Sequence, residues 1–309
     1  MAELYPWLSG AFSQLQRLVA NGQLAHSLVF YGAAGIGKGT LAAALAALLL
    51  CKNRQTAGAC GSCKSCLLRQ AGNHADLLIL HSETQHIGVD AIRQLSSFSH
   101  GSAQQQGNKV VIIPVADSMT EAAANALLKT LEEPPHGCFI ILVTDNYPQL
   151  SATIRSRCQQ WPLRAADAAQ VAQWLSQQAG AQQPLPAKLL DYCQGAPLKA
   201  LHLLNTNGSD SLDAALALLD DFFNGKLELA VTCKQLDANP ELAGILGFYL
   251  RQRLVQPLEF MRQQAALLAY QRWCRDAAQI IGQNSVLALT ALLTELKPLL
   301  QQQETKWKN

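Results

Sequence analysis

The chain has 309 residues, which exceeds one typical domain, and 49% are apolar against 15% charged. That balance supplies more than one buried core and excludes a disordered protein. A net charge of +2 excludes a protein that grips DNA alone through a basic stripe, and 6% aromatics with abundant Ala, Leu and Gln favour packed helices over an all-β architecture.

The opening residues hold no basic stretch followed by an apolar one, so no secretory signal is expected. Strands are predicted at 27–31, 77–80, 110–115 and 139–144, apolar runs bounded by Gly, Pro, Asn or Asp as buried parallel strands are. Helices at 41–50, 89–98 and 121–131 separate them, and the alternation predicts a doubly wound α/β domain. The run 41–50 is the most apolar in the chain, yet too short for the roughly 20 residues of a bilayer span. A cytoplasmic location is expected.

Thr120 is the expected N-cap of helix 121–131, Glu121 complements its dipole, and Pro134-Pro135 stop it. Beyond Pro162 the strand signals cease. Helices follow at 165–178, 188–193 and 198–204, and a Gly/Ser/Asn/Asp cluster at 205–211 reads as a linker. From 212 to 303 the pattern is helical, punctuated by Pro240 and Pro257. The expected outline is an α/β domain over 1–163, a small helical domain over 164–206 and a larger helical domain over 207–309, with no internal repeat.

Strand 27–31 runs into Gly32-Ala33-Ala34-Gly35-Ile36-Gly37-Lys38-Gly39-Thr40 and then a helix. Gly32, Gly35 and Gly37 let backbone N–H groups wrap a phosphate at a helix N-terminus, and Lys38 would reach the outer phosphates. Gly39 stands where a Mg²⁺-binding Ser or Thr is usual, with Thr40 one place later, so nucleotide binding is left open. Hydrolysis also needs acidic residues at the end of a neighbouring strand. The apolar run Lys109–Ile113 is followed instead by Pro114-Val115-Ala116-Asp117, and neither Pro nor Val coordinates a metal or activates water. No hydrolysis by the chain alone is expected.

Cys51, Cys60, Cys63 and Cys66 lie within one short stretch, with Gly58 and Gly61 to make its turns. Paired Cys-x-x-Cys spacing is a strong metal signature, and four thiolates suit a closed structural Zn²⁺ site. An iron–sulfur cluster uses similar spacing and is the rival. His74 and His81 are nearby substitutes. The module at about 51–66 sits as an insertion after the P-loop helix.

The run Asn125-Ala126-Leu127-Leu128-Lys129-Thr130-Leu131-Glu132-Glu133-Pro134-Pro135, followed by a strand and then Ser156-Arg157-Cys158, resembles the bacterial clamp-loader family of AAA+ proteins. The segment from Ile87 to Arg93 fits as well, and the resemblance is specific over about 26–163. It implies an AAA+ P-loop domain with a helical lid, and a C-terminal collar that joins subunits into a ring. Within it, Arg157, flanked by Ser156 and Cys158, would be an arginine finger donated in trans to a neighbour's ATP site; the alternative is a surface ion pair. Thr144 would match the position that senses the γ-phosphate, and Leu198 replaces a lid arginine, with Lys199 beside it. The implied role is a non-hydrolysing subunit of the DNA polymerase III holoenzyme. The implied partners are the ATP-hydrolysing gamma/tau subunits and the delta subunit, and through them the sliding clamp and primed DNA. An active gamma/tau-type ATPase and a small nucleotide kinase are the other readings.

Overall fold

The computed structural model describes residues 4–80, 86–164, 167–178, 187–206, 208–255, 259–280 and 282–300. It divides into two compact units, Met1–Gln178 with Gln194–Ala200, and Ala179–Cys193 with Leu201–Asn309. The expected 164–206 segment is thus shared between them.

The first unit is built on β1 (Ser27–Tyr31), β2 (Leu77–Ile79), β3 (Lys109–Ile113), β4 (Cys138–Thr144) and β5 (Gln159–Pro162). All pairings are parallel, in the order β2-β3-β4-β1-β5. Its helices are α1 (Ser9–Ala20), α2 (Lys38–Leu50), α3 (Lys64–Gln70), α4 (Val89–His100), α5 (Glu121–Glu132), α6 (Ala152–Arg155) and α7 (Ala168–Gln178). Both sheet faces are covered, and the strand alternation shows it. Leu28 and Phe30 of β1 join Val110, Ile112, Ile141 and Val143 in one core with α1 and α2. Val29, Val111, Ile113, Ile140 and Leu142 face the other way, onto Ile92 and Leu95 of α4 and Leu127 of α5. Helix α2 is apolar almost all round because nine of its residues are buried.

The second unit is helical: α8 (Ala187–Cys193), the later part of α9 (Pro197–Asn205), α10 (Gly208–Phe223), α11 (Leu229–Asp237), α12 (Leu242–Leu254), α13 (Phe260–Gln279) and α14 (Ser285–Leu300). Its core gathers Leu216, Leu219 and Phe222 of α10, Cys233 and Leu236 of α11, Ile245 and Tyr249 of α12, and Leu289, Leu293 and Leu296 of α14. No helix among the described residues is long and apolar enough to cross a membrane.

Two expectations are corrected and one strand is added. The linker expected at 205–211 is mostly helical among the described residues, because α9 runs to Asn205 and α10 starts at Gly208; Asp210, read as a loop residue, is an acid in a helix first turn, where the dipole favours it. The third strand ends at Ile113, not 115, where Pro114 interrupts it and Val115 turns outward, 53% exposed. Gln159–Pro162, which is not among the four predicted strands, is an edge strand paired with β1.

Candidate functional site

Strand β1 delivers the chain at the carboxyl end of the sheet, where α/β ligand sites form. Gly37 is the left-handed N-cap of α2 (φ 87°). A Cβ on Gly37 would lie 2.6 Å from the Tyr5 ring, and one on Gly32 would lie 2.3 Å from the Leu163 carbonyl oxygen. The loop is therefore packed against its own chain. The Trp7 indole donates to the Ile36 carbonyl at 2.9 Å, and the Leu198 amide donates to the Gly35 carbonyl at 3.0 Å. A Cβ on Gly35 would meet the Lys199 backbone nitrogen at 3.0 Å, so the first turn of α9 lies directly on the loop.

Lys38 is 4% exposed and turns back on this loop. Its ammonium donates to the carbonyls of Gly32 at 2.8 Å and Ala33 at 2.6 Å, and pairs with Asp145 at 2.5 Å. Three partners match the three hydrogens of an ammonium group. Asp145 was not singled out by sequence; its place directly after Thr144, at the end of β4, is the signal that could have found it. The Thr144 hydroxyl donates to Asp117 at 2.7 Å and accepts from the Asn146 amide at 3.0 Å. Gly39 and Thr40 line a groove of about 720 Å³ with Phe12, Ala43, Ala47 and Arg69.

The Ser156-Arg157-Cys158 segment follows α6, whose N-cap is Ser151. Arg157 is partly exposed and ion-pairs with Glu132 at the end of α5, with Nε donating to Oε1 at 2.6 Å. Its Nη1 donates to the Thr153 carbonyl at 2.9 Å and to the Ser156 hydroxyl at 3.4 Å. The surface ion pair weighed above is therefore present in this chain. Ser156 donates to the Thr153 carbonyl at 3.0 Å, while Cys158 points into the core beside Ile154. Burial pushes the Cys158 thiol up to about 12, so it packs and does not react.

The four predicted cysteines converge, with all four sulfurs within 4.8 Å of one another. Cys51 caps the end of α2 and Cys63 is the N-cap of α3, so two helix ends set the spacing. The sulfurs of Cys51 and Cys60 are 3.6 Å apart, and those of Cys60 and Cys66 are 4.0 Å apart. Gly58 and Gly61 take positive φ as the turns require, and Gln55 and Gly58 close a small antiparallel bridge. Backbone N–H groups of Ser62 and Cys63 lower the Cys60 thiol to about 6, which favours the thiolate. Burial raises Cys51 and Cys66. This donor set can hold one metal ion.

His74 is not a fifth candidate. Its Nδ1 accepts from the Asp76 amide at 3.0 Å, and its Nε2 meets the Ser65 hydroxyl at 2.6 Å, which donates onward to the Leu50 carbonyl at 2.7 Å. Burial lowers its pKa, so it stays neutral in this chain of bonds. His81 lies outside the described residues.

A five-stranded parallel sheet in this order, with a P-loop between β1 and α2, defines a protein of the AAA+ class. The family model described as DNA polymerase III, delta subunit matches residues 8–167. A DNA polymerase III subunit delta' from Pseudomonas aeruginosa is 35% identical over 96% of this chain and 98% of its own length. Its counterpart from Yersinia pestis is 42% identical over 65% of this chain, which spans 61% of that relative. A DNA polymerase III gamma subunit-related protein from Thermotoga maritima shares the fold at TM-score 0.54 and 20% identity, covering 94% of this chain and 99% of that one. The chain belongs to the DNA polymerase III delta' family.

Proposed function

We propose that this chain is a non-hydrolysing subunit of the bacterial clamp loader, working in the cytoplasm to help place the sliding clamp on primed DNA. The observation that carries the reading is the state of Lys38, whose three hydrogens are spent on Gly32, Ala33 and Asp145. No acidic pair directly ends β3, where Pro114 and Val115 stand, and the next acid along the chain, Asp117, accepts from Thr144. Its own P-loop is read as a vestige, since the acidic pair that hydrolysis needs is missing from the end of β3. Arg157 lies on the surface and acts on the ATP of a neighbouring gamma/tau-type subunit, where a guanidinium stabilises charge on the transferring phosphoryl.

In this reading residues 1–163 form the AAA+ domain and 164–206 its lid, and the delta subunit completes the assembly. The collar is residues 207–309. Phe260, Met261, Leu267 and Leu268 form an exposed apolar stripe along α13, which supports a collar face turned towards other subunits. The metal is a structural zinc. A tetrahedron with Zn–S bonds of about 2.3 Å has edges of about 3.8 Å, between the two observed sulfur separations. An iron–sulfur cluster, being several atoms wide, would hold its thiolates farther apart.

The test uses purified subunits. The chain alone should show no ATP hydrolysis, and adding it to gamma/tau and delta should restore clamp loading on primed DNA. Steady hydrolysis by the pure chain, or full loading without it, would sink the reading.

A further inference from the structure

Glu132 is the last residue of α5, and Glu133 follows as its C-cap. An acidic side chain is of the wrong sign there, because helix carbonyls concentrate negative charge at that end. Glu132 therefore needs a cation, and Arg157 is the one that meets it. The contact is side-on: Nε and Nη2 of Arg157 both approach Oε1 of Glu132. On the opposite side, Nη1 is taken by the Thr153 carbonyl and the Ser156 hydroxyl. A guanidinium has five N–H bonds in a rigid fork. Contacts within the chain use four of them, which leaves the second Nη2 hydrogen.

This arrangement has a consequence for a group that must grip a neighbour's phosphate. The grip uses the end-on edge of the fork, formed by Nη1 and Nη2, and a two-point grip requires Nη1 to leave Thr153. Glu132 does not compete for that edge. It holds the other side of the plane, so the guanidinium can exchange Thr153 for a phosphate oxygen without losing its orientation. A flexible side chain that would otherwise sample many rotamers is thereby kept aimed.

We propose that Glu132 is a positioning residue for Arg157, setting the plane of the finger from within its own subunit. This rests on the reading of Arg157 as a trans finger. The experiment is a double-mutant cycle in the assembled clamp loader, measuring DNA- and clamp-stimulated ATP turnover for wild type, Glu132→Ala, Arg157→Ala and the double variant. Glu132→Ala should lower turnover by about threefold, on the scale of one partly exposed ion pair, with the KM for ATP unchanged because Glu132 touches no nucleotide. It should have no further effect in the Arg157→Ala background. Glu132→Gln keeps shape and one hydrogen bond, and should recover part of the loss while guarding against a folding defect.

Equal loss from Glu132→Ala in both backgrounds would mean a general structural role and overturn the proposal. Unchanged or raised turnover in the wild-type background would overturn it too, the second by making Glu132 a restraint. If Arg157→Ala itself has no effect, the finger reading has failed and this inference falls with it. Loss on Arg157→Ala with none on Glu132→Ala removes the inference alone.

Discussion

At the scale of single residues, the glycines of the P-loop show how closely a nucleotide-binding motif can pack against its own chain. Gly37 holds φ at 87° and lies against the Tyr5 ring, so its lack of a side chain now serves packing. Gly37→Ala combines a strained φ with a clash and should cost about 1–3 kcal/mol of stability. A urea denaturation midpoint checks this, and an unchanged midpoint would show that Tyr5 does not sit there. The motif itself was legible from Gly32 to Thr40, but its ammonium partner was not. Asp145 meets Lys38 only because β1 and β4 are neighbours in the sheet, and sequence spacing carries no such information. Arg157 and Glu132 both lie in recognisable strings, but that the two meet is a tertiary contact that no spacing shows.

At the scale of elements, what could be read followed the strength of the hydrophobic pattern. Strand β1 has the predicted bounds because four consecutive residues are buried on both faces. Strand β5 escaped notice because Gln-Gln-Trp-Pro offers no apolar run; as an edge strand it tolerates Pro162, whose missing N–H is not needed on its outer side. Helix α1 carries a weaker signal, in which only Phe12, Leu15 and Val19 repeat at helical spacing and Leu15 alone is fully buried. The cysteine module was legible as spacing, since helix ends and turns are local. Its own apolar content is slight, so removing the metal should loosen it while the sheet core stands. Stripping the protein with a chelator should make 52–63 readily cleaved by protease, with little change in far-ultraviolet circular dichroism. Resistance of that stretch after metal loss would mean that packing, not coordination, holds it. Cys60→Ser should reproduce the chelator's effect.

At the scale of the whole molecule, the chain joins a core whose packing is legible from periodicity to a surface whose purpose is not. Helical faces look alike whether they pack within the chain or against a neighbour. The stripe on α13 illustrates this: Leu268 is 56% exposed although it sits in an otherwise regular amphipathic pattern. If that stripe is a collar face, Leu268→Asp should abolish co-elution with gamma/tau and delta and leave the melting temperature of the isolated chain within about 2 °C, as an exposed substitution does. Intact assembly would place the collar contact elsewhere. The central claim is that this subunit has given up its own ATP site while serving another. The most direct test compares Lys38→Ala with Arg157→Ala in the assembled complex, at equal assembly, by DNA- and clamp-stimulated ATP turnover. The account predicts near wild-type turnover for Lys38→Ala and a clear fall for Arg157→Ala; the reverse pattern, with Lys38 needed and Arg157 dispensable, would contradict it.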